Sequence, residues 1–301
     1  MSNNESTKTK TPSTQTNQLH TLSQEISKAI RQVRQTTPLV PSITNTVTIN
    51  FVANAQLAIG GSAAMCYMPA DSQQLAHMGQ AFYINLGTII PIYEETIPQI
   101  IQYLHDHHKP WVLDPVGTGI GDLRTSLIKQ MKDYPPTIIR GNASEIIAVA
   151  NLWNLPIDNK TSSQSQGVRG VDSTDSSLTA TPYAIALAKH IQGAVAISGQ
   201  TDIITDGQTT IQCTGGSPLF TKVTGSGCSL GGVIAVYAAV TNPLLAALTG
   251  TTLYNYAGHE AHQRAKGPGS FQPLFLDALY TADANTLAKY CLEHSTISIA
   301  R

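Results

Sequence analysis

Short apolar runs alternate with longer segments of helical pattern through the middle of this 301-residue chain, and this alternation limits the folds it can adopt. Four runs are apolar almost throughout and end at a polar residue and a glycine; they cover residues 81–87, 111–117, 137–141 and 194–199. Helical patterns lie among them at residues 71–80, 93–107, 123–132, 142–152 and 183–192. Strands without a polar face are covered on both sides, so the pattern predicts an α/β fold with a parallel sheet between helices.

The second half of the chain predicts a change in the sheet and then a helical end. The runs 202–205 and 210–213 flank Asp206-Gly207, a dipeptide typical of hairpin turns, so the sheet is expected to end in antiparallel strands. Residues 155–180 are rich in Ser, Thr, Asp and Gly and predict a surface loop. Helical patterns then follow at residues 227–240, 244–264 and 277–293.

The amino-terminal segment differs in composition from the rest. It is rich in Ser, Thr, Asn and Gln and nearly free of large apolar side chains, so it cannot bury enough surface to offset its ordering entropy. We therefore expect a disordered tail over residues 1–20 and a single domain over residues 21–301. The segment also lacks the apolar core of a signal peptide, which predicts a cytoplasmic location.

Charge and cysteine spacing exclude several classes of partner. The formal net charge is -1, only 12% of residues are charged and no basic run occurs, so no nucleic-acid partner is expected. No apolar run approaches the roughly 18 residues of a membrane helix, so no membrane segment is expected. Four cysteines without CxxC spacing disfavour a zinc site and favour reduced thiols.

Polar side chains stand at or near the ends of the four predicted strands. They are Asn85, Asp114, Arg140 and Ser198. Ligands of open parallel sheets bind beyond the carboxyl ends of the strands, so these groups are expected to share one functional edge.

The stretch TKVTGSGC (residues 221–228) precedes a helical segment. Gly225 and Gly227 allow a ligand to approach the backbone, and the first amides of a helix attract anions. A thiol in that first turn, at Cys228, has a lowered pKa on this pattern and could serve as a base. The alternative is a glycine turn with a small buried cysteine, and the stretch alone does not decide between the two.

Of two carboxylates in these motifs, Asp114 has two interpretations and Glu145 has one. Asp114, between a strand and the glycines of DPVGTG, suits a magnesium or phosphate site, or it simply forms a turn. Glu145 lies three residues after Asn142, the spacing of a capping box. The glycines are spaced GxGxG rather than GxGxxG, and no P-loop motif occurs, so both ordinary nucleotide fingerprints are excluded.

An asparagine-rich segment near the start has no settled role from spacing alone. Asn45, Asn50 and Asn54 are four or five residues apart, and they fit either helix caps and hydrogen bonds or a neutral polar ligand. Met65, which follows the Gly60-Gly61 pair, is more often a core residue than a ligand contact.

Taken together, these motifs resemble the hydroxyethylthiazole kinase family of the ribokinase-like superfamily. The resemblance covers about residues 38–295. Its most specific part is the order of four patterns: ITN followed by further asparagines, DPVG, RGNxxE and TGxGC. Matching stretches are PLVPSITNTVTINFVANAQLAIGGSAAM (38–65), YINLGT (83–88), VLDPVGTG (112–119), IIRGNASEI (138–146), RGVDS (169–173), VAISGQTDII (195–204), TKVTGSGC (221–228) and KGPGSF (266–271).

The resemblance implies a three-layer α/β/α kinase that uses ATP and Mg²⁺ to phosphorylate the alcohol of 4-methyl-5-(2-hydroxyethyl)thiazole in thiamine salvage. It also implies a homotrimer with its sites at subunit interfaces. By position, the residues fall into four groups: Cys228 and Gly227 for catalysis, Arg140 and Ser198 for ATP, Met65, Gly225 and Asn45 for the thiazole, and Asp114 and Glu145 for the metal.

Three positions depart from the family's usual pattern: Pro41 stands for His, Ala63 for Pro and Ser198 for Thr. One alternative is another ribokinase-like alcohol kinase, acting on hydroxymethylpyrimidine or pyridoxal; such enzymes usually carry Asp where this chain has Cys228. The other is a non-catalytic nucleotide-binding protein, which the intact Asp114, Arg140 and Glu145 disfavour.

Overall fold

The structure is a computed structural model that describes residues 12–157 and 176–299. Its strands are, in chain order, β1 (Leu39–Ile43), β2 (Ser62–Met65), β3 (Phe82–Asn85), β4 (Trp111–Asp114), β5 (Ile138–Asn142), β6 (Ala194–Ser198), β7 (Asp202–Thr205), β8 (Thr209–Cys213) and β9 (Ser295–Ile299).

The α-helices of the same residues are α1 (Pro12–Thr36), α2 (Ile49–Ala58), α3 (Pro69–Met78), α4 (Tyr93–Asp106), α5 (Asp122–Gln130), α6 (Ala143–Leu152), α7 (Ser177–Ile191), α8 (Ser226–Ala238), α9 (Pro243–Arg264), α10 (Pro268–Thr281) and α11 (Ala284–His294). A short 3₁₀ helix, Pro218–Lys222, precedes α8. None of the helices within these described residues has the length and apolar character needed to cross a membrane.

The strands form one sheet in the order β2-β1-β3-β4-β5-β6-β7-β8-β9. Pairs from β2 to β6 are parallel, and pairs from β6 to β9 are antiparallel. The predicted α/β class with a mostly parallel sheet is therefore confirmed. The predicted hairpin is confirmed as well, since Thr205 pairs with Thr210 across a turn in which Gly207 has a φ of 88°.

Helices cover both faces of the sheet and bury two separate cores. Tyr83, Val112 and Ile138 point into one core, which α1, α2 and α8 to α11 cover. The neighbouring strand residues, such as Phe82 and Trp111, point into the other core, which α3 to α7 cover. Successive strand side chains point to opposite faces, so the continuous apolar runs fill both cores and give the three-layer α/β/α architecture.

Three strands have no counterpart among the sequence predictions. β1 contains Pro41, which lacks a ladder donor, and β1 pairs with β3 only from Ser42 onward. β2 is a four-residue strand of small side chains that is partly exposed along its length. β9 alternates between buried and exposed residues as it pairs with β8.

The helix α1 overlaps the second half of the predicted amino-terminal tail. This helix begins at Pro12, and Leu19 within it is already buried. The apolar side chains of Ile26 and Val33 pack into the first core, and Ser27 Oγ donates to the carbonyl of Ala284 at 2.6 Å. Burial against the rest of the protein therefore stabilises a helix whose own composition is polar. Residues 1–11 lie outside the described residues, and the division into tail and domain stays a prediction.

Two predictions need correction. The single helix predicted over 277–293 is two helices, because the chain is extended at Asp283, whose carboxylate caps α11 by accepting the Asn285 amide at 2.9 Å. The loop predicted over 155–180 ends earlier than expected, since α7 begins at Ser177; residues 158–175, including the RGVDS stretch, lie outside the described residues.

Candidate active site

The polar groups predicted at the strand ends do meet at one edge of the sheet. Asn85 and Asp114 are the last residues of β3 and β4 and stand side by side in register. Ser198, the last residue of β6, is in register with Asn142 at the end of β5. The parallel order of β3 to β6 is what brings these carboxyl ends together.

Arg140, on β5, connects neighbouring strands across this edge. Its Nη2 donates to Ser198 Oγ at 2.8 Å, and its Nη1 lies 3.4 Å from Asp114 Oδ2. The side chain is only 9% exposed. Burial lowers the pKa of Arg140, but the charges of Asp114 and Glu145 raise it, and the net shift is upward. The guanidinium thus stays charged in a largely dry site, where it interacts strongly with anions.

Asp114 is fully buried beneath the arginine. Its Oδ2 accepts hydrogen bonds from Asn85 Nδ2 at 2.9 Å and from the Tyr83 hydroxyl at 3.1 Å. Burial raises the pKa of this carboxyl, and Arg140 lowers it without fully compensating. Its other oxygen, Oδ1, is buried and has no hydrogen-bond partner in the described part of the chain. One acceptor therefore remains available to a ligand.

Tyr83 had no role in the sequence interpretation, because an aromatic residue inside an apolar strand is expected to fill a core. Its ring does lie in the first core, yet its hydroxyl contacts Asp114 and lies 2.7 Å from the carbonyl oxygen of Cys228. This tyrosine ties the strand edge to the start of α8. The contact depends on the direction of the tyrosine side chain, and the sequence gives no information about that direction.

Glu145 takes part in the predicted capping box at the start of α6. Its Oε2 accepts the Asn142 amide at 2.8 Å, and Asn142 Oδ1 accepts the Glu145 amide at 2.9 Å. Its Oε1 lies 3.4 Å from the Gly117 amide, in the loop after β4. Burial, followed by the charge of Asp114, raises the pKa of Glu145 to about 7. The carboxylate is therefore both a cap and a close neighbour of the buried charge at Asp114.

We expect Glu145 to make stability depend on pH in metal-free buffer. Its pKa is about 7 in the fold against 4.5 for a free glutamate, so between these values the folded state holds a proton that the unfolded state has lost. The free energy of unfolding should then fall as pH rises through this window, with a slope approaching about 1.4 kcal/mol per pH unit. Denaturant titrations of wild type and Glu145→Gln across this range measure the difference. Parallel pH profiles for the two proteins would contradict the assignment.

The turn before α8 confirms that the GSGC stretch begins a helix. Gly225, its N-cap, has a φ of 87°, a conformation that favours glycine. Gly227 is fixed by space, since a Cβ there would lie 2.6 Å from Arg140 Nη1. The first amides of a helix have no acceptor within it, so the amides of Gly227 and Cys228 are available to an anion beside the guanidinium.

Cys228 is the half-buried member of the four free cysteines; the other three are buried. Its Sγ lies 3.3 Å from Asn45 Nδ2. Burial raises the pKa of Cys228, the charge of Asp114 raises it further, and Arg140, Thr48 and Asn85 lower it only partly. The lowered pKa expected from a helix amino terminus is therefore wrong, because burial, followed by the charge of Asp114, raises the pKa of this thiol.

A pocket of about 640 Å³ opens beside the start of α8, within the usual size range of small-ligand sites. Arg140, Ser198 and Gly227 line one part of it. Asp202 and Asn255 also line it and were not foreseen; Asn255 Nδ2 donates to Asp202 Oδ2 at 2.8 Å. The remaining lining residues are Gly199, Gln200, Gly215, Gly216, Ser217, Pro218, Phe220, Thr221, Ser226, Leu230 and Tyr254.

The three residues assigned to the organic substrate are not equally placed. Asn45 contacts Cys228, and Gly225 begins the turn that carries it. Met65 ends β2, which β1 separates from β3, and it packs at the border of the first core. The structure thus brings Asn45 and Gly225 to the thiol and leaves Met65 at the end of the outermost strand.

Phosphoryl transfer requires a site that attracts an anion and holds charged groups in place. This edge of the sheet provides helix amides and a guanidinium for the anion, buried carboxylates beside them and a pocket of nucleotide size. Together with the three-layer α/β/α architecture, these features define the class of protein, which is a small-molecule kinase of the ribokinase-like fold.

Comparisons with known proteins identify the family within this class. A model of the hydroxyethylthiazole kinase family matches residues 30–285. The hydroxyethylthiazole kinase of Bifidobacterium longum is 48% identical over 278 residues, which are 88% of each chain. The structure of a hydroxyethylthiazole kinase protein from Pyrococcus horikoshii superimposes with a TM-score of 0.79 at 27% identity and covers 92% of this chain and 100% of that one.

A ribokinase-like protein from Enterococcus faecalis shares the fold alone, with a TM-score of 0.57 at 14% identity over 84% of this chain and 87% of that one. The chain belongs to the hydroxyethylthiazole kinase family.

Proposed function

We propose that the protein transfers the γ-phosphoryl group of ATP to the hydroxyl of 4-methyl-5-(2-hydroxyethyl)thiazole, a step of thiamine salvage. The observation that carries this proposal is how close the Arg140 guanidinium lies to the amino terminus of α8. Its Nη1 is 2.6 Å from the point where a Cβ on Gly227 would lie. An anion held there meets backbone donors and a fixed positive charge at once. Such preorganised donors are the main means by which proteins stabilise a transferring phosphoryl group.

ATP occupies the pocket with its phosphates toward α8 in this proposal. Arg140 and Ser198 line the pocket and are hydrogen-bonded to each other at 2.8 Å, so they present one joined donor surface to phosphate oxygens. The part of the pocket lined by Pro218 and Phe220 receives the nucleoside. Charge near α8 together with an aromatic side chain such as Phe220 suits a molecule with a phosphate end and a flat base.

Mg²⁺ is proposed as the accompanying metal, held by Asp114 and Glu145. The residues fit such an ion, since Asp114 Oδ1 is a buried acceptor without a partner. The described residues contain no group of three or more metal-ligating side chains, but Mg²⁺ is commonly held by one or two carboxylates together with substrate phosphates. The ion supplies positive charge to the phosphate oxygens during transfer.

The thiazole alcohol is proposed to bind near the thiol side of the turn, with Met65, Gly225 and Asn45 as the residues nearest to it. There its hydroxyl faces both Cys228 and the anion site at α8. The new bond forms between the alcohol oxygen and the γ-phosphorus, the bond to the leaving oxygen of ADP breaks, and Cys228 in its thiolate form takes the hydroxyl proton and becomes the neutral thiol. Gly227 keeps the turn free of a side chain, so that its amide can contact the transferring group.

Cys228→Ala should lower kcat about 10-fold and leave nucleotide affinity unchanged, because phosphoryl transfer needs little help from a base. Since the pKa of Cys228 is raised, wild-type turnover should increase as pH rises toward that pKa. Cys228→Asp should keep activity and lose this alkaline rise. Steady-state kinetics across pH and calorimetric titration with ADP measure these effects.

Cys291→Ala, which alters a buried cysteine on α11, is the matched control and should resemble wild type. Loss of nucleotide binding in Cys228→Ala would show that the cysteine is structural. A folded but inactive Cys228→Asp variant would count against the role as base.

The homotrimer belongs to the same proposal. β2 is an edge strand of the sheet that the described residues form, and Met65 lies at its end. Leu57 and Met68, which flank this strand in sequence, are 53% and 52% exposed. Apolar side chains beside an open strand edge favour contact with another chain. Sedimentation velocity tests the assembly, and the cytoplasmic location predicted from the sequence remains an expectation.

The experiment that tests the proposed function compares kcat/KM for three alcohols in a coupled assay of ADP release. These are the hydroxyethylthiazole, hydroxymethylpyrimidine and pyridoxal. The thiazole should be preferred. Turnover of another alcohol without turnover of the thiazole would assign the site to a different ribokinase-like kinase, and ADP binding without turnover of any alcohol would favour a non-catalytic protein.

A further inference from the structure

The connection between β1 and α2 touches the thiol of Cys228 through Asn45. This asparagine is 4% exposed, and protein groups already use its amide. Its Nδ2 donates to Asn85 Oδ1 at 2.9 Å and lies 3.3 Å from Cys228 Sγ, while its Oδ1 accepts the Thr48 amide at 3.1 Å. The two bonds made by the strand-end Asn85 and by Thr48 fix which end of the amide faces the thiol. Nδ2, a donor, is the end that faces it.

Thr48 is the N-cap of α2, yet its side chain makes no capping hydrogen bond. Threonine at an N-cap ordinarily accepts an amide of the first helical turn. Here the side chain packs against the turn of α8, and a Cβ at Gly225 would lie 2.6 Å from Thr48 Cγ2. The hydroxyl is buried and has no hydrogen-bond partner among the described residues. A buried threonine hydroxyl that neither caps its helix nor bonds elsewhere is free to serve the neighbouring site.

The charged and titratable groups around the thiol come from several elements. Burial and the carboxylate of Asp114, on β4, raise the pKa of Cys228; Arg140, on β5, and the side chain of Thr48 lower it. Tyr83, on β3, contacts the carbonyl of the same cysteine. The Thr48 hydroxyl is thus near enough to influence the thiol, and it has no other hydrogen-bond partner among the described residues.

We propose that Thr48 and Asn45 are positioning residues for Cys228: the hydroxyl and the amide donate hydrogen bonds to its sulfur and hold it at the anion site of α8. This inference rests on the proposed function, in which Cys228 accepts the proton of the alcohol. Before the transfer, the two donors stabilise the negative charge of the sulfur. They also hold the sulfur in place while the alcohol proton moves to it. Asn45, which also lies near the thiazole in the proposed function, then acts on the proton transfer through the cysteine.

Thr48→Val tests the proposal, because valine keeps the shape and removes a hydroxyl that has no partner other than the thiol among the described residues. Loss of a donor to a charged sulfur should lower kcat about 10-fold, with KM for the alcohol changed less than about 2-fold. The rate at which iodoacetamide alkylates Cys228 should fall by a similar factor, since the thiolate is the reacting form. Thr48→Ser, which restores the hydroxyl, should recover most of both.

Thr249→Val is the matched control, because Thr249 on α9 also has a buried hydroxyl without a partner among the described residues. It should match wild type in both measurements. The Thr48→Val change should have less than about 2-fold effect in a Cys228→Ala background, where no acceptor remains to be positioned.

An equal loss of kcat in the Cys228→Ala background would overturn the proposal and make Thr48 a direct contact of the alcohol. An unchanged or faster alkylation of Cys228 in Thr48→Val would overturn it as well, since a merely structural residue would leave the sulfur as reactive or more exposed. Alkylation does not require turnover. It therefore tests the positioning role even if the thiazole proves not to be the substrate.

Discussion

Arg140→Leu is expected to lower kinase turnover about 10³-fold, the scale of a lost arginine at a transferring phosphoryl group. The side chain donates to Ser198, pairs with Asp114 and borders the amides at the start of α8. Leucine removes the positive charge and leaves the carboxylate of Asp114 buried without its cation. Arg140→Lys should recover part of the activity, because lysine restores the charge but not the two-pronged geometry.

Single-turnover kinetics with saturating ATP measure this effect apart from nucleotide affinity. Arg34→Leu is a matched control, because Arg34 is bonded to carbonyls of Tyr280 and Ala282 at the end of α10 rather than to the site. It should keep turnover per folded molecule. An Arg140→Leu variant that stays folded and within about 10-fold of wild type would exclude the guanidinium from the transfer step.

Gly225→Ala is expected to lower turnover about 10²-fold, the effect of disturbing preorganised backbone donors. It should also cost about 1–3 kcal/mol of unfolding free energy through backbone strain. Gly225 has a φ of 87°, and a Cβ would come within 2.6 Å of Thr48 Cγ2 and 2.8 Å of its Cβ. The turn must move to relieve this contact, and the amides of Gly227 and Cys228 move with it.

Gly121→Ala separates the two causes. Gly121 has a φ of 77°, but a Cβ there meets nothing within 4 Å, so the substitution introduces strain without a clash. We expect it to lower thermal stability and to keep most of the turnover. Equal losses of turnover in the two variants would mean that backbone strain, rather than displacement of the α8 turn, explains the effect at Gly225.

The strands that could be predicted from the sequence are those whose residues form a short apolar run. β3, β4, β5 and β6 are buried on both faces, so their sequences are apolar almost throughout. β1 and β2 were missed because Pro41 and a run of small side chains obscure the pattern. α1 was partly assigned to a tail because its stability comes from packing on α11 and the first core, which composition does not reveal.

The site also has a part that the sequence predicted and a part that it did not. Asp114, Arg140 and Ser198 could be placed together from sequence, because parallel strands bring their carboxyl ends to one edge. The capping box of Asn142 and Glu145 was likewise readable from spacing. The direction of side chains could not be predicted from the sequence. It is what brings the Tyr83 hydroxyl to Asp114, turns Thr48 away from its helix and surrounds Cys228 with enough protein to raise its pKa.

The identity of the phosphorylated product tests the central claim most directly. The purified protein is incubated with ATP, Mg²⁺ and 4-methyl-5-(2-hydroxyethyl)thiazole, and the products are examined by mass spectrometry and ³¹P NMR. The account predicts a phosphate monoester on the side-chain oxygen of the thiazole, formed in equal amount with ADP and nearly absent with Arg140→Leu. ADP formed without the phosphorylated thiazole, or no reaction by the folded wild-type protein, would contradict it.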